Sequence, residues 1–286
     1  MSYATTYAKF HPMKVDLHCH TTCSDGSLTP QQLVQRASDN GVTHLSITDH
    51  DTVAAYAQIS IEDCPVKLIP GIEFSTTWRK QGVHIVGLEI DLNSDAIAEG
   101  VQFQTEARLA RAEQIAAKLT AKGLDCNLED VQKLAGGDHV GRPHFAQHLV
   151  NVGAVKNQQQ AFKKYLGAGK PGDVKQHWAS MQQVIDWIRG AGGTAVLAHP
   201  LKYKMTRTKL LALVEDFKSC GGQAMEVVSG KQIPSDTRNM LNICEQFELL
   251  ASCGSDFHHP GLQWSELGHY SVMPESKCDI SNYWNS

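Results

Sequence analysis

The chain has 286 residues, 42% hydrophobic and only 20% charged, a balance that excludes a disordered polypeptide and permits a large buried core. Its 26 basic and 30 acidic side chains leave a formal charge of −4, so no basic field marks a protein that coats nucleic acid. Eight cysteines without a CxxC pair, no secretory signal in residues 1–16 and no apolar run near the ~20 residues of a membrane helix predict a cytoplasmic protein with reduced thiols and no membrane partner.

Residues 13–21, MKVDLHCHT, begin as a short β-rich run and end polar. Thr29-Pro30 is a capping residue followed by a favoured first helical residue, and predicts a helix closed by Gly41. The segments 43–51, 67–78 and 83–92 are further β-rich runs. Helical patterns then dominate, over 99–123, 128–135, 143–152 and 157–166. β-Rich runs return at 193–200, 224–230 and 249–259, with helices at 206–219 and 235–247 between them. This is β/α alternation interrupted once by a helical insertion, and it argues for a parallel sheet. The expected organisation is one domain over 1–98 and 181–286, with 99–180 as a helical insertion that caps the substrate site.

Nearly every β-run ends in His, Asp or Glu: His18 and His20, Asp49 and His50, Glu73, His199, Asp256 and His258. In a barrel of parallel strands such ends converge on one face, whereas an open sheet would scatter them, so the pattern favours a barrel. A lone histidine at a strand end is more often hydrogen-bonded structure than a ligand. The joint pattern is what argues for metal. His18-x-His20 places two imidazoles on one side of an extended segment, with Cys19 pointing to the other side and therefore no ligand. Asp25 follows on a loop, Glu73 offers a carboxylate able to bridge two ions, and His84, His199, Asp256 and His258 complete a mixed imidazole and carboxylate set. That chemistry suits Mn²⁺, Fe²⁺ or Zn²⁺.

The stretches DLHCHTTCSDG, ITDHD, PGIEFS, HIVG, AHP and GSDFH, in this order and over almost the whole chain, resemble the motifs of the PHP (polymerase and histidinol phosphatase) superfamily of phosphoesterases. The resemblance implies an α/β fold, a distorted (β/α)7 barrel of the PHP type, with three divalent ions at the strand ends. It implies that His18, His20, Glu73 and Asp256 hold one ion, that Asp25, His50 and His258 hold a second, and that His84 and His199 share Glu73 at a third. Asp25 stands where some branches have His; its oxygen favours Mn²⁺ over Zn²⁺ or Fe²⁺. The helical insertion, with EARLARAEQIAAKL, HVGRPHFAQHLV and KKYLGAGKPGDV, resembles the branch of 3′,5′-nucleotide bisphosphate phosphatases and 5′→3′ exoribonucleases.

The residues support phosphoryl hydrolysis beside the resemblance. A metal cluster activates water without a protein nucleophile. No Ser or Cys stands in a GxSxG frame, Ser24 and Ser75 have no evident base, and there is no Walker loop, so no catalytic residue is expected beyond metal-activated water. Substrate contacts are expected from the insertion: Arg108 and Arg111, three apart on one helix face, and Arg142 with Pro143 and His144 at a helix start, where the N–H groups favour an anion. Lys170 is a weaker candidate, and His44, His139, His148, His177, His259 and His269 are expected to be structural or on the surface. The expected substrate is a small nucleotide or a short 5′-phosphorylated RNA, with no obligate protein partner. The alternatives are a phosphatase of another small phosphate ester, a metal-dependent amide hydrolase, disfavoured because no Lys ends a β-run, and a non-catalytic PHP metal-binding module.

Overall fold

The computed structural model describes residues 13–61, 63–137, 140–174 and 178–284. A first, parallel sheet contains β1 (Val15–Asp16), β2 (His44–Leu45) and β3 (Lys67–Leu68), with α1 (Pro30–Asp39) between the first two. Thr29 starts α1 as the sequence predicts: its hydroxyl accepts the Gln32 N–H while the Gln32 side chain accepts the Thr29 N–H. Next come β4 (Gly71–Trp78) and β5 (Gln81–Leu88). The insertion follows as α2 (Asp95–Thr120), α3 (Leu128–Ala135), α4 (Arg142–Asn151) and α5 (Gln158–Ala161), the last continuing as a π turn over Phe162–Leu166. The chain returns through α6 (Met181–Gly190), β6 (Thr194–Leu197), α7 (Arg207–Ser219), β7 (Ala224–Ser229), α8 (Pro234–Gln246) and β8 (Leu250–Gly254). Strands β4 to β8 form the second sheet in sequence order.

The result is a mixed α/β fold, and two features depart from the expected ring of parallel strands. First, β5 pairs antiparallel with both β4 and β6. Only Arg79 and Lys80 join β4 to β5, with Arg79 in the left-handed region at φ 56, and a link that short allows a hairpin but no crossover. Second, the described strands do not close into one ladder. Isolated parallel bridges join the two sheets instead, Cys19 with Phe257 and His50 with Glu73. Both bridges lie where the histidines and carboxylates singled out in the sequence are concentrated.

Three apolar clusters support this frame. The largest packs α6, α7 and α8 on the β4–β8 sheet; a second joins α1 to β2 and includes Phe257; a third lies within the insertion, around Phe145, Leu149 and Val131. Helix α2 belongs to two of them, since Ile97 lies in the sheet core and Ala112, Ile115 and Leu119 lie in the insertion core. Among the described residues no helix is long and apolar enough to cross a membrane.

Gly100 is where α2 meets the sheet. A Cβ there would lie 2.9 Å from the rings of both Phe74 and Trp187. Alanine would favour the helix by about 1 kcal/mol, but overpacking two buried rings costs about 1–3 kcal/mol. Gly100→Ala should therefore lower the urea midpoint, against the usual effect of Gly→Ala within a helix; a raised midpoint would show that the rings yield freely.

Candidate metal centre

The two bridges between the sheets set the site. On one side, the segment after β1 carries His18 and His20 beside the segment after β8, which carries Asp256 and His258; the Asp256 N–H donates to the His18 carbonyl and the His20 N–H to that of Phe257. On the other, the segment after β2 carries His50 against Glu73, the third residue of β4. His84 lies in the middle of β5 opposite Ser75, not at a strand end, and reaches the site because the hairpin folds β5 back along β4. His199 enters from the end of β6.

Glu73 is fully buried and organises these groups. Its Oε1 lies 3.0 Å from both His84 Nδ1 and His199 Nε2. Its Oε2 lies 2.9 Å from His50 Nδ1, 3.3 Å from His18 Nε2 and 3.4 Å from His20 Nε2. Each oxygen thus faces a different set of imidazoles. Asp256 Oδ1 is 3.5 Å from His18 Nε2 and 3.3 Å from His20 Nε2, while Asp25 stands 3.4 Å from His258 Nε2 and 3.8 Å from His50 Nε2. All nine expected ligands converge here, and each of the three expected sets is contiguous in space. The groups also share members: His20 lies with Asp25, His50 and His258 as well.

The residues fit divalent metal. His20 Nδ1, Asp25 Oδ1, His50 Nδ1, Glu73 Oε2 and His199 Nδ1 are buried without a hydrogen-bond partner. His50 Nδ1 and Glu73 Oε2 are close, yet neither makes a hydrogen bond. Buried polar atoms are rarely left so, and a cation satisfies converging donors at once. Electrostatics agree. Burial opposes ionisation of Glu73, but the surrounding imidazoles, His50 foremost, hold its carboxyl well below the usual range. Burial likewise opposes a charge on His258, and Asp25 overcomes it, raising the imidazole to about 10. Burial and the charge of His258 push His20 down to about 3.

The other candidates fall into place around this cluster. Asp49 turns to the 21–26 loop, accepting from the Thr21 N–H, the Thr21 hydroxyl and the Ser24 hydroxyl. Ser24 and Ser75 each donate to a buried carboxylate, contrary to the expectation of no nearby base, but Asp49 and Asp51 are already occupied and no imidazole completes a triad. Cys19 donates its thiol to the Ser46 carbonyl, inside the α1 core. His148 and His269 hydrogen-bond main-chain carbonyls, His44 the Thr43 hydroxyl, and His259 is exposed. Lys170 is exposed, and His139 and His177 lie outside the described residues.

The insertion brings three guanidinium groups to the same end of the fold. Arg108 is held by Asp51, whose Oδ2 accepts its Nε–H at 2.7 Å, and it also donates to the Ser75 hydroxyl. Its Nε and Nη2 are therefore engaged within the protein. Arg111 is buried with its Nε unpaired, and burial, then Arg142 and Arg108, push it down to about 9. Trp178 packs its ring near both, 5.1 Å from the Arg108 guanidinium and 5.8 Å from that of Arg111. Arg142 and Pro143 open α4, where the Gly141 N–H donates to His144 Nδ1. Burial lowers the His144 imidazole, which also feels the charges of Asp25 and Arg108.

Sequence reasoning missed Asp51, Glu226, Lys202 and Trp178. Asp51 adjoins His50, and Lys202, which pairs with Asp256, follows His199 by three residues. Glu226 is a lone charge in the apolar strand AMEVVS, which was the available signal. Trp178 carries no such signal.

A centre of this kind, imidazoles and carboxylates gathered where two sheets of a mixed α/β fold meet, defines a metal-dependent hydrolase. The chain matches the PHP domain over residues 16–187 and belongs to the PHP family. It is 43% identical over 98% of its length to the 5′-3′ exoribonuclease Rnm of Escherichia coli strain K12, of which 95% is covered. It is 40% identical over 91% of its length to the 3′,5′-nucleoside bisphosphate phosphatase of Chromobacterium violaceum, of which 92% is covered. A solved structure from the same species, described as an amidohydrolase with bound sulfate and no metal, matches with a TM-score of 0.87 at 38% identity, covering 95% of this chain and 96% of that one.

The Asp51–Arg108 pair ties α2 to the loop that carries His50. Burial would raise the Asp51 carboxyl, but Arg108 and the Ser75 N–H hold it below its usual value. A depressed carboxylate contributes stability that is complete above about pH 4 and is lost as pH falls further. Asp51→Ala should cost about 3–5 kcal/mol at pH 7 by leaving a buried guanidinium unpaired. The gap from the parent in denaturant unfolding should narrow below about pH 4; an equal gap at low and neutral pH would refute the ion-pair account. Asp130→Ala, which breaks an exposed pair with Lys133, should leave the midpoint unchanged.

Proposed function

We propose that this chain is a metal-dependent phosphoesterase that hydrolyses the P–O3′ bond of 3′,5′-nucleotide bisphosphates and of the 5′-terminal nucleotide of short 5′-phosphorylated RNA. The observation that carries the reading is a buried imidazole and carboxylate cluster in a fold that also holds a buried guanidinium, Arg111, whose Nε has no partner. In this reading the ions are three, held by His18, His20, Asp25, His50, Glu73, His84, His199, Asp256 and His258, and the two bridged sheets are the family's distorted barrel. Bound divalent ions would supply a nucleophile from water at neutral pH and stabilise charge on the phosphoryl oxygens. Asp25, a hard oxygen donor, favours Mn²⁺.

The chain's own residues do the rest. Arg111 and Arg142 bind the 5′-phosphate, with His144 at its edge, and Arg108 adds charge while Asp51 holds it in place. Residues 99–180 act as the cap that presents these groups. In a 3′,5′-bisphosphate the cut leaves a 5′-mononucleotide. In RNA the first internucleotide linkage presents the same bond at the same distance from the 5′-phosphate, so the cut releases a 5′-mononucleotide and leaves a new 5′-phosphate. The two relatives' names describe these two substrates.

Chelation should abolish turnover, and Mn²⁺ should restore it better than Zn²⁺. Glu73→Ala should lower bound metal measured by elemental analysis while the far-UV spectrum is kept; full metal occupancy in that variant would defeat the bridging role.

Loss of a buried charged contact costs about 2–5 kcal/mol, roughly 30-fold or more in kcat/KM. Arg111→Met should show that loss on 3′,5′-bisphosphates and 5′-phosphorylated oligoribonucleotides, and little on 5′-hydroxyl oligoribonucleotides. Equal parent rates on 5′-phosphate and 5′-hydroxyl RNA would remove the anchor from the mechanism.

A further inference from the structure

Glu226 is the third residue of β7, buried in a strand that is otherwise apolar apart from its final serine. Among the described residues no lysine or arginine pairs with its carboxylate. Its Oε1 lies 2.6 Å from His18 Nδ1, and its Oε2 accepts the main-chain N–H of His199 at 2.5 Å. Both oxygens are therefore taken by residues that meet Glu73 from opposite sides, His18 at Oε2 and His199 at Oε1. The β7–β8 register shifts between Glu226 and Val228, the kind of irregularity that re-aims a side chain near a site.

We propose that Glu226 is a positioning residue for the metal centre, fixing the proton of His18 on Nδ1 and the main chain of His199 in its unusual conformation. A carboxylate at Nδ1 accepts a hydrogen bond there and leaves the Nε2 lone pair directed at Glu73 and Asp256, 3.3 and 3.5 Å away. His199 has φ 30 and ψ 56, a left-handed conformation unfavourable for a non-glycine residue, and the proline after it disfavours helical backbone further. The bond from its N–H to Glu226 holds that conformation and so aims the ring. One buried carboxylate thus sets two ligands that come from different strands.

The inference rests on the proposed metal centre, and the two fail differently. If the parent binds no divalent metal, the centre itself is wrong. Given binding, the inference has its own readouts. In zinc-loaded parent protein, nitrogen–proton correlation NMR should show His18 protonated on Nδ1; a proton on Nε2 overturns the proposal without any variant. Glu226→Gln keeps the volume but offers one acceptor oxygen where two donors need one each. Calorimetric titration of stripped protein with Zn²⁺ should show affinity roughly 10–100-fold weaker in this variant, with His18 losing its single protonation pattern. Unchanged affinity and an unchanged His18 spectrum in folded Glu226→Gln would reduce the residue to a structural role.

Discussion

A single buried carboxylate, Glu73, stands among five imidazoles with neither solvent nor a lysine or arginine against it. Burying a carboxylate costs several kcal/mol unless positive charge meets it. Protonated histidines repay part of this, but burial opposes their charge and they repel one another, and both effects hold His20 down. Divalent ions resolve both problems together, because they neutralise the carboxylate and use imidazole in its neutral form. The arrangement of the two sheets follows from the same need. Single bridges at Cys19–Phe257 and His50–Glu73 bring the chain segments close enough for ligands to converge.

The insertion is not a separate appendage laid over this centre. Helix α2 contributes Ile97 to the core of the larger sheet and Ile115 to the core of the insertion, so one rigid rod passes between them. Gln104 and Arg108 on that rod both donate to Asp51. Asp51 in turn accepts from the N–H and hydroxyl of Ser75, two residues beyond Glu73. The cationic helix is thereby fastened to the strand that carries Glu73.

Much of this was legible in the sequence for physical reasons. The helix at Thr29-Pro30 declares its cap and first turn locally, and the ligand set declares itself by clustering rare residue types at run ends. Strand direction is not local. The run 67–78 and the run 83–92 read alike whether they pair parallel or antiparallel, and the two-residue link between β4 and β5 decides. Helix α6 carries a Ser180–Gln183 capping box, yet the periodic reading passes over it. The arginines show the same limit. Arg108 and Arg111 share a helix face and look equivalent, but one meets Asp51 and the other meets no carboxylate at its Nε, a difference created only by the fold.

That difference bears on how the proposed site would take both a free nucleotide and an RNA end. His50 and Asp51 are adjacent in the chain; one faces the cluster and the other grips α2. The distance from the cluster to Arg111, one helical turn beyond Arg108, is therefore fixed by short covalent and hydrogen-bonded links and not by a flexible loop. In the proposed reading, a phosphate anchor held at a set distance from the cutting centre would act as a ruler and admit any substrate with a 5′-phosphate one sugar away from a P–O3′ bond, whatever the length of RNA on the far side of that bond. Selection in the proposed reaction then falls on the phosphate and its spacing, which a bisphosphate and each successive 5′ end of a shortened RNA present alike.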